Sequence, residues 1–212
     1  MLAESLLLPI GQFGGATGPA DDPGTRFQLR LGQRTFSLTT DQFSVWAAAH
    51  GTLDRVGVVR NTRAALVSRL VGPQPGASRS TVDSMVDWLG EVGALSEVDS
   101  DRASSFAAAH RLAPLLLGLG NSAAEPGRYA LGLHDQPVVS VPRVVCTIWE
   151  WADRWPDLWS VCAWLAQAQQ VSAARVLQDV LEALPGLLAV NAAYLDVAGP
   201  DVAGPDSAGA GP

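Results

Sequence analysis

Two segments of this chain carry the same order of apolar patterns, and this internal repeat is the feature that most restricts its fold. Residues 26–31 alternate apolar and polar side chains, and residues 128–133 do so about 100 positions further on. Each segment passes through a polar turn into a second alternating stretch, 36–38 in one copy and 139–141 in the other. Alternation with a period of two indicates a strand that is buried on one face. Each copy therefore begins with a predicted strand pair.

Three helical patterns follow the strand pair in both copies. The first helix is expected to open after the threonines at 39–40 in one copy and at Pro142 in the other, and Trp46 and Trp149 fall at matching places within it. The second and third helices are predicted over 62–71 and 80–92 in the first copy, and over 156–169 and 172–184 in the second. Gly93 and Gly186 follow the third helices and are expected to end them.

These patterns predict an α+β protein that is mostly helical, with two units that each resemble a winged helix. The predicted divisions are a flexible N-terminal segment at 1–25, unit one at 26–98, a helical linker at 99–127, unit two at 128–196 and a disordered tail at 197–212. The tail repeats a five-residue Asp-Val-Ala-Gly-Pro pattern that offers little apolar surface to bury.

The residue types argue against catalysis. All fourteen basic residues are arginines, so mechanisms that need a lysine amine are excluded. The histidines at 50, 110 and 134 have no second ligand at a metal-like spacing, and Cys146 and Cys162 do not form a CxxC motif. The glycines at 118 and 120 resemble a dinucleotide loop, but Pro126 leaves no room for the helix that such a loop needs. We therefore expect no enzyme, no cofactor and no metal.

The charge is acidic overall and unevenly distributed. The net charge is −7, yet residues 26–98 carry eight arginines against six acids. An acidic chain argues against strong non-specific binding to DNA, and only unit one suits an acidic partner. The sequence has no apolar run that could span a membrane and no signal peptide, so a cytoplasmic location is expected. Whether Cys146 and Cys162 pair in a disulfide stays open, as does the oligomeric state.

Two clusters of side chains each allow two interpretations. Five of the seven tryptophans lie between 149 and 164, where they either pack in the core or form an aromatic docking surface. The arginines near the second helix of unit one are either a solvated face or a docking site for an acidic peptide or a phosphate backbone. These arginines are Arg55, Arg60, Arg63, Arg69 and Arg79.

The order of strand pair, helix, glycine and two further helices resembles the PqqD-like winged helix, the recognition element of systems that modify ribosomally made peptides. The residues that carry the resemblance are Leu38-Thr39, Val45-Trp46, Gly51 and 89–95 in unit one, and Val141-Pro142, Ile148-Trp149 and 181–188 in unit two. The resemblance covers about two-thirds of the chain and rests mainly on the phase of apolar residues.

This resemblance implies a non-catalytic protein that binds a peptide by strand addition beside the third helix. The implied partners are an acidic leader peptide and its modifying enzyme. The implied peptide-binding residues of unit one are Thr35, Phe36, Leu38, Val82, Met85, Val86 and Leu89, with Arg60 and Arg63 from the arginine set. In unit two they are 138–141 with Val176, Leu177, Val180 and Leu181.

Two other functions compete with peptide binding. A winged-helix transcription regulator reads DNA with its third helix, but residues 80–84 and 172–175 offer mostly hydroxyls, one acid and one arginine. The other candidate is an acidic scaffold subunit that binds only its protein partners, which the composition fits equally well.

Overall fold

The computed structural model describes residues 4–19, 22, 24–54, 57–58, 62–71 and 78–199, and in this part the chain is α+β. The internal repeat is present and longer than expected. We call residues 6–98 repeat one and residues 110–197 repeat two. Helix α4 (Ala103–Ala109) joins them.

Repeat one begins and ends with strands that pair with each other. Its strands are β1 (Leu6–Pro9), β2 (Gln12–Thr17), β3 (Arg26–Leu31), β4 (Arg34–Leu38), the two-residue β5 (Leu53–Asp54) and β6 (Gly57–Val58), and β7 (Leu95–Val98). Its helices are α1 (Thr40–Ala48), α2 (Arg63–Leu70) and α3 (Arg79–Glu91). Strand β1 pairs with β7, and β2, β3 and β4 form an antiparallel sheet in that order.

Repeat two has the same order of elements, except that a 3-10 turn stands where repeat one has β5 and β6. Its strands are β8 (His110–Pro114), β9 (Leu117–Gly120), β10 (Arg128–Leu133), β11 (Gln136–Pro142) and β12 (Ala193–Val197). Its helices are α5 (Arg143–Trp151), a 3-10 turn (Ala152–Arg154), α6 (Leu158–Gln169) and α7 (Ala173–Ala189). Strand β8 pairs with β12, and the antiparallel sheet order is β9, β10, β11. Strand β4 is therefore an edge strand of the sheet in repeat one, and strand β11 is the corresponding edge strand in repeat two.

The registers align the two repeats residue by residue. Leu29 pairs with Phe13 and Phe36, and Leu131 pairs with Gly118 and Val139. Strand β2 carries a bulge directly after Phe13, and strand β9 carries one directly after Gly118. Each bulge is followed by a glycine of positive φ, Gly15 at +113° and Gly120 at +80°. The third helices align through the N–H of residues 94 and 192, which donate to Leu89 O at 2.7 Å and Leu187 O at 2.8 Å.

The segments that were predicted to lie outside the units differ from the structure. Residues 6–10, within the predicted flexible segment at 1–25, are buried, because β1 pairs with β7 and its leucines belong to the hydrophobic core with Ile10. The predicted linker helix at 99–127 is helical only in α4 and continues as β8 and β9. The predicted tail at 197–212 begins with the last residue of β12, and residues 200–212 lie outside the described part.

The third helix ends differently in the two repeats. In repeat one Gly93 ends it at φ +81°, as expected. The predicted stop at Gly186 is wrong, because α7 continues to Ala189 with Pro185 inside it. Leu187 and Leu188 are 0% and 1% exposed, so their burial outweighs the local cost of proline and glycine. Asn191, at φ +52°, makes the final turn instead.

A buried carboxylate connects the repeats. Asp196 of β12 is 0% exposed, and its Oδ1 accepts the backbone N–H of Gly32 from the turn between β3 and β4 at 2.6 Å. Its Oδ2 lies 3.2 Å from Arg111 Nη2 and 3.7 Å from Arg30 Nη1. The backbone N–H of Gly11 also donates to Leu195 O across this contact at 2.7 Å. The repeats therefore meet through specific polar contacts at β3 and β12.

Candidate functional site

The predicted peptide-binding residues of strand β4 lie on one edge of the first sheet. Thr35 is exposed, Phe36 is half-buried, and Leu38 is 0% exposed. The guanidinium of Arg34 covers the Phe36 ring, with its carbon 4.7 Å from the ring centre. Thr35 and Phe36 are accessible to a partner on this edge, whereas Leu38 belongs to the core.

The predicted residues of helix α3 are mostly internal. Val82, Val86 and Leu89 are at most 3% exposed, and Met85 is half-buried. The spacing of apolar residues in α3 suggested a groove, but these residues form the core. A helix face in the core and a helix face that lines a groove both carry apolar residues three and four positions apart. Of this set, only Met85 presents side-chain surface to solvent.

The described arginines near helix α2 interact with other groups of the chain. Arg63 Nη1 donates to Asp87 Oδ1 at 2.6 Å, and the same guanidinium lies within 3.7 Å of Asp83 and Glu97. Its hydrogen bond lowers the pKa of the Asp87 carboxyl below its usual value. Arg69 donates to the Ala48 carbonyl. Arg55 and Arg60 lie outside the described residues, so the structure does not test the role expected for Arg60.

An open groove lies at the other edge strand, β11, in repeat two. It has a volume of about 450 Å³ and runs between β11 and helix α7. Its walls are Arg128, Val139, Ser140, Val141, Pro142 and Val144 on the sheet side, and Asp179, Glu182, Ala183 and Gly186 on the helix side. Val138, at the same edge, is 41% exposed. The helix residues expected here, Val176, Leu177, Val180 and Leu181, are instead 0–2% exposed and form the core.

Small side chains on α7 open this groove. By the alignment of the third helices, Ala183 and Gly186 stand where repeat one has Met85 and Trp88. Met85 and Trp88 are both half-buried against the core of repeat one. This difference is visible in the sequence only when α3 and α7 are aligned by their final turns. The expected helix end at Gly186 put the last turn of α7 too early, so this alignment was not available from the sequence.

The groove is bordered by charges of both signs. Asp179 Oδ1 pairs with Arg175 Nη2 at 3.2 Å, and Glu182 accepts a hydrogen bond from Gln178 at 3.1 Å. Arg128 donates to the hydroxyl and the carbonyl of Ser140 on the edge strand. Glu182 is exposed and forms no ion pair among the described residues, so the helix side of the groove favours a positive charge on a ligand.

The tryptophans after Trp149 are partly buried. Trp149 is 5% exposed and donates its indole N–H to Ala192 O at 3.0 Å, as Trp46 does to Ile10 O at 3.1 Å. Trp164 packs between Trp151 and Trp155, at centroid distances of 5.3 and 5.8 Å. These side chains, with Trp159, pack against the core, which favours the structural interpretation of the cluster.

The two cysteines of repeat two are both at least partly buried. Cys146 and Cys162 are free thiols, and burial raises the pKa of both, that of Cys162 to about 12. Both thiols are therefore protonated and weakly nucleophilic near neutral pH. Among the described residues, no three His, Cys, Asp or Glu side chains are placed to hold a metal ion.

No helix in the described ranges combines the length and the apolar character that crossing a membrane requires.

We compared the chain with known proteins in three ways. No protein-family model, no curated protein and no solved structure matches it.

Proposed function

We propose that this protein is a non-catalytic peptide-binding protein that takes up an extended segment of its partner at the edge strand β11. The observation that carries the proposal is the open groove between β11 and α7. An added strand would hydrogen-bond to the β11 backbone and place alternate side chains in the groove. Pro137 and Pro142 within β11 are typical of an edge strand, where a missing N–H costs no ladder bond.

The walls of the groove restrict the side chains that the partner can present. Ala183 and Gly186 leave room for medium-sized apolar side chains, and Val139 and Val144 supply apolar contacts. Asp179 and Glu182 on the rim disfavour a strongly acidic segment by like-charge repulsion. The proposed ligand is therefore an apolar extended peptide with neutral or basic flanks. This differs from the acidic peptide that the charge of unit one suggested.

The order of elements supports the likeness to the PqqD-like winged helix. In both repeats a strand pair is followed by three helices, the order on which the resemblance rests. A leader peptide of a ribosomally made product, delivered to its modifying enzyme, remains the proposed partner class. The acids on the third helices, Asp83 and Asp87 in α3 and Asp179 and Glu182 in α7, argue against docking either helix in a DNA groove.

Selection from a random peptide library, displayed on phage and presented to the whole protein, tests this proposal. The matched variant is Ala183→Met, which gives α7 the side chain that α3 carries at Met85. We expect the best selected peptides to bind Ala183→Met with about tenfold lower affinity, since a lost buried contact of 1.4 kcal/mol has that effect. Bound peptide should also slow amide hydrogen exchange at residues 138–141.

The control is Ala168→Met, the same substitution at an exposed position of α6. Both variants should keep the thermal unfolding midpoint of the parent protein within a few degrees. Equal binding by the parent and Ala183→Met would contradict the groove as the site. Selection of no peptide, together with recovery of DNA from a lysate that nuclease treatment abolishes, would favour the regulator instead.

A further inference from the structure

Three phenylalanines from β2, β3 and α1 pack together in repeat one. Phe27 and Phe43 stack with centroids 4.3 Å apart and planes 5° apart, and Phe13 lies 5.0 Å from Phe43 and 6.4 Å from Phe27. Phe13 is 45% exposed, so this ring cluster reaches the protein surface. An open cavity of about 430 Å³ remains beside the rings of Phe13 and Phe43, toward Trp46 and His50.

Repeat two lacks two of these three rings. The strand registers place Gly118 where Phe13 stands, and the helix alignment places Cys146 where Phe43 stands. Only Tyr129, at the position of Phe27, keeps an aromatic ring. The space is left as a cavity of about 470 Å³ that also contacts Gly120, Arg143, Thr147, Trp149 and Glu150. We call it the aromatic socket.

We propose that the aromatic socket binds an aromatic side chain of a peptide partner. The repeat itself identifies the occupant, because the same fold packs phenylalanine rings at this place in repeat one. Tyr129 and Trp149 supply ring surfaces against which an inserted ring packs edge-on or offset. The socket is of a size typical of ligand sites, and its lining is mixed, with Arg143, Thr147 and Glu150 beside the two aromatic rings.

The rim of the aromatic socket can hold the backbone or flanking charges of the peptide. Arg143 and Glu150 are exposed on α5 and form no ion pair among the described residues. Gly118 and Gly120 on β9 leave the peptide backbone free to approach this strand, the edge opposite β11. The proposal does not rest on the groove, because a different strand and a different helix form this site.

The substitution Gly118→Phe tests the proposal by returning the missing ring. A Cβ at Gly118 would lie 3.7 Å from Trp149 Cζ3, an ordinary contact, and its φ is not positive, so the variant is expected to fold. Leu117→Phe is the matched control, since Leu117 is 52% exposed and its side chain points to the other face of β9. Thermal unfolding of both variants reports whether they fold.

The probe is a phage-displayed library of random peptides, selected on the whole parent protein and counter-selected on Gly118→Phe. We expect the retained peptides to share one aromatic position, and replacement of that residue by alanine to weaken binding about tenfold. Leu117→Phe should bind them like the parent. A retained set without an aromatic position, or the loss of every selected peptide when those that also bind a folded Gly118→Phe are removed, would overturn the proposal.

Thiol chemistry at Cys146 gives an independent readout. Cys162 is 0% exposed, whereas Cys146 lines the socket and is only half-buried, so a thiol reagent modifies Cys146 first in the native protein. A selected aromatic peptide should slow this modification severalfold, and its alanine version should not. Equal protection by both peptides would contradict insertion of the ring. Peptides that bind the parent and Ala183→Met equally but lose binding to Gly118→Phe would report the socket even if the groove proposal failed.

Discussion

Replacement of Asp196 by alanine should destabilise the contact between the two repeats. The carboxylate is fully buried and accepts the N–H of Gly32 at 2.6 Å, while Arg111 and Arg30 flank its second oxygen at 3.2 and 3.7 Å. Alanine would leave the Gly32 N–H without its acceptor. Arg111 would lose its partner as well, and its Nε is already buried without a hydrogen bond in the described structure.

The expected magnitude follows from how exposed the partners are. Removal of one member of a buried ion pair costs about 3–5 kcal/mol, and an orphaned buried donor costs about 1–3 kcal/mol. The side chains of Arg30 and Arg111 are 39% and 31% exposed, so water compensates part of their loss. Arg30 also keeps its bonds to Gln12 and Tyr194. We therefore expect Asp196→Ala to lower the free energy of unfolding by about 2–4 kcal/mol.

Urea unfolding followed by far-UV circular dichroism measures this loss. The control is Asp135→Ala in the exposed turn between β10 and β11, which should stay within about 0.5 kcal/mol of the parent. If the inter-repeat contact couples the two repeats, Asp196→Ala should also broaden the transition or split it in two. A single unchanged transition with a loss under about 1 kcal/mol would refute the inference that Asp196 holds the repeats together.

Two further changes test the packing. Trp149→Phe removes the indole bond to Ala192 O, and Trp46→Phe the bond to Ile10 O, so each should lower the free energy of unfolding by about 1 kcal/mol. Equal urea midpoints for variant and parent would contradict this. Burial lowers the pKa of His50 below 6.5 in the folded protein. As the pH falls, His50 of the unfolded chain therefore binds a proton at a higher pH than His50 of the folded protein, which favours unfolding. Thermal stability should therefore decline from about pH 7 to about pH 5, and His50→Gln should flatten that decline; an identical slope in the variant would count against it.

The sequence predicted the parts of the fold whose signals are local. Strands β3 and β10 have the expected bounds, since alternation marks a half-buried strand directly. Helix α2 lies within the predicted 62–71, with Thr62 capping its first turn, and α6 lies within 156–169 with Asp157 as its cap. Caps and periodicity are set by neighbouring residues, so they can be read without tertiary structure.

The missed strands depend on partners far along the chain. Strand β1 is buried along its whole length, so it shows no alternation, and its partner β7 lies about 90 residues away. Strands β8 and β9 follow an alanine-rich stretch that has helical propensity, and only their pairing with β12 and β10 makes them strands. The edge position of β11 was predictable from the strand pair, but the groove beside it depends on the alignment of α7 with α3.

The two repeats differ in side-chain size at both proposed binding sites. The groove residues Ala183 and Gly186 replace Met85 and Trp88, and the socket residue Cys146 replaces Phe43. Each change exchanges a large apolar side chain for a small one, which ordinarily destabilises a protein because packing contacts are lost. Repeat one places large side chains in both spaces, and an open cavity of about 430 Å³ remains beside Phe13 and Phe43. A stability requirement alone would favour filling them in repeat two as well, so two unfilled spaces in one repeat are more readily explained by ligands that occupy them. On the two binding proposals, we therefore expect ligands to bind in repeat two.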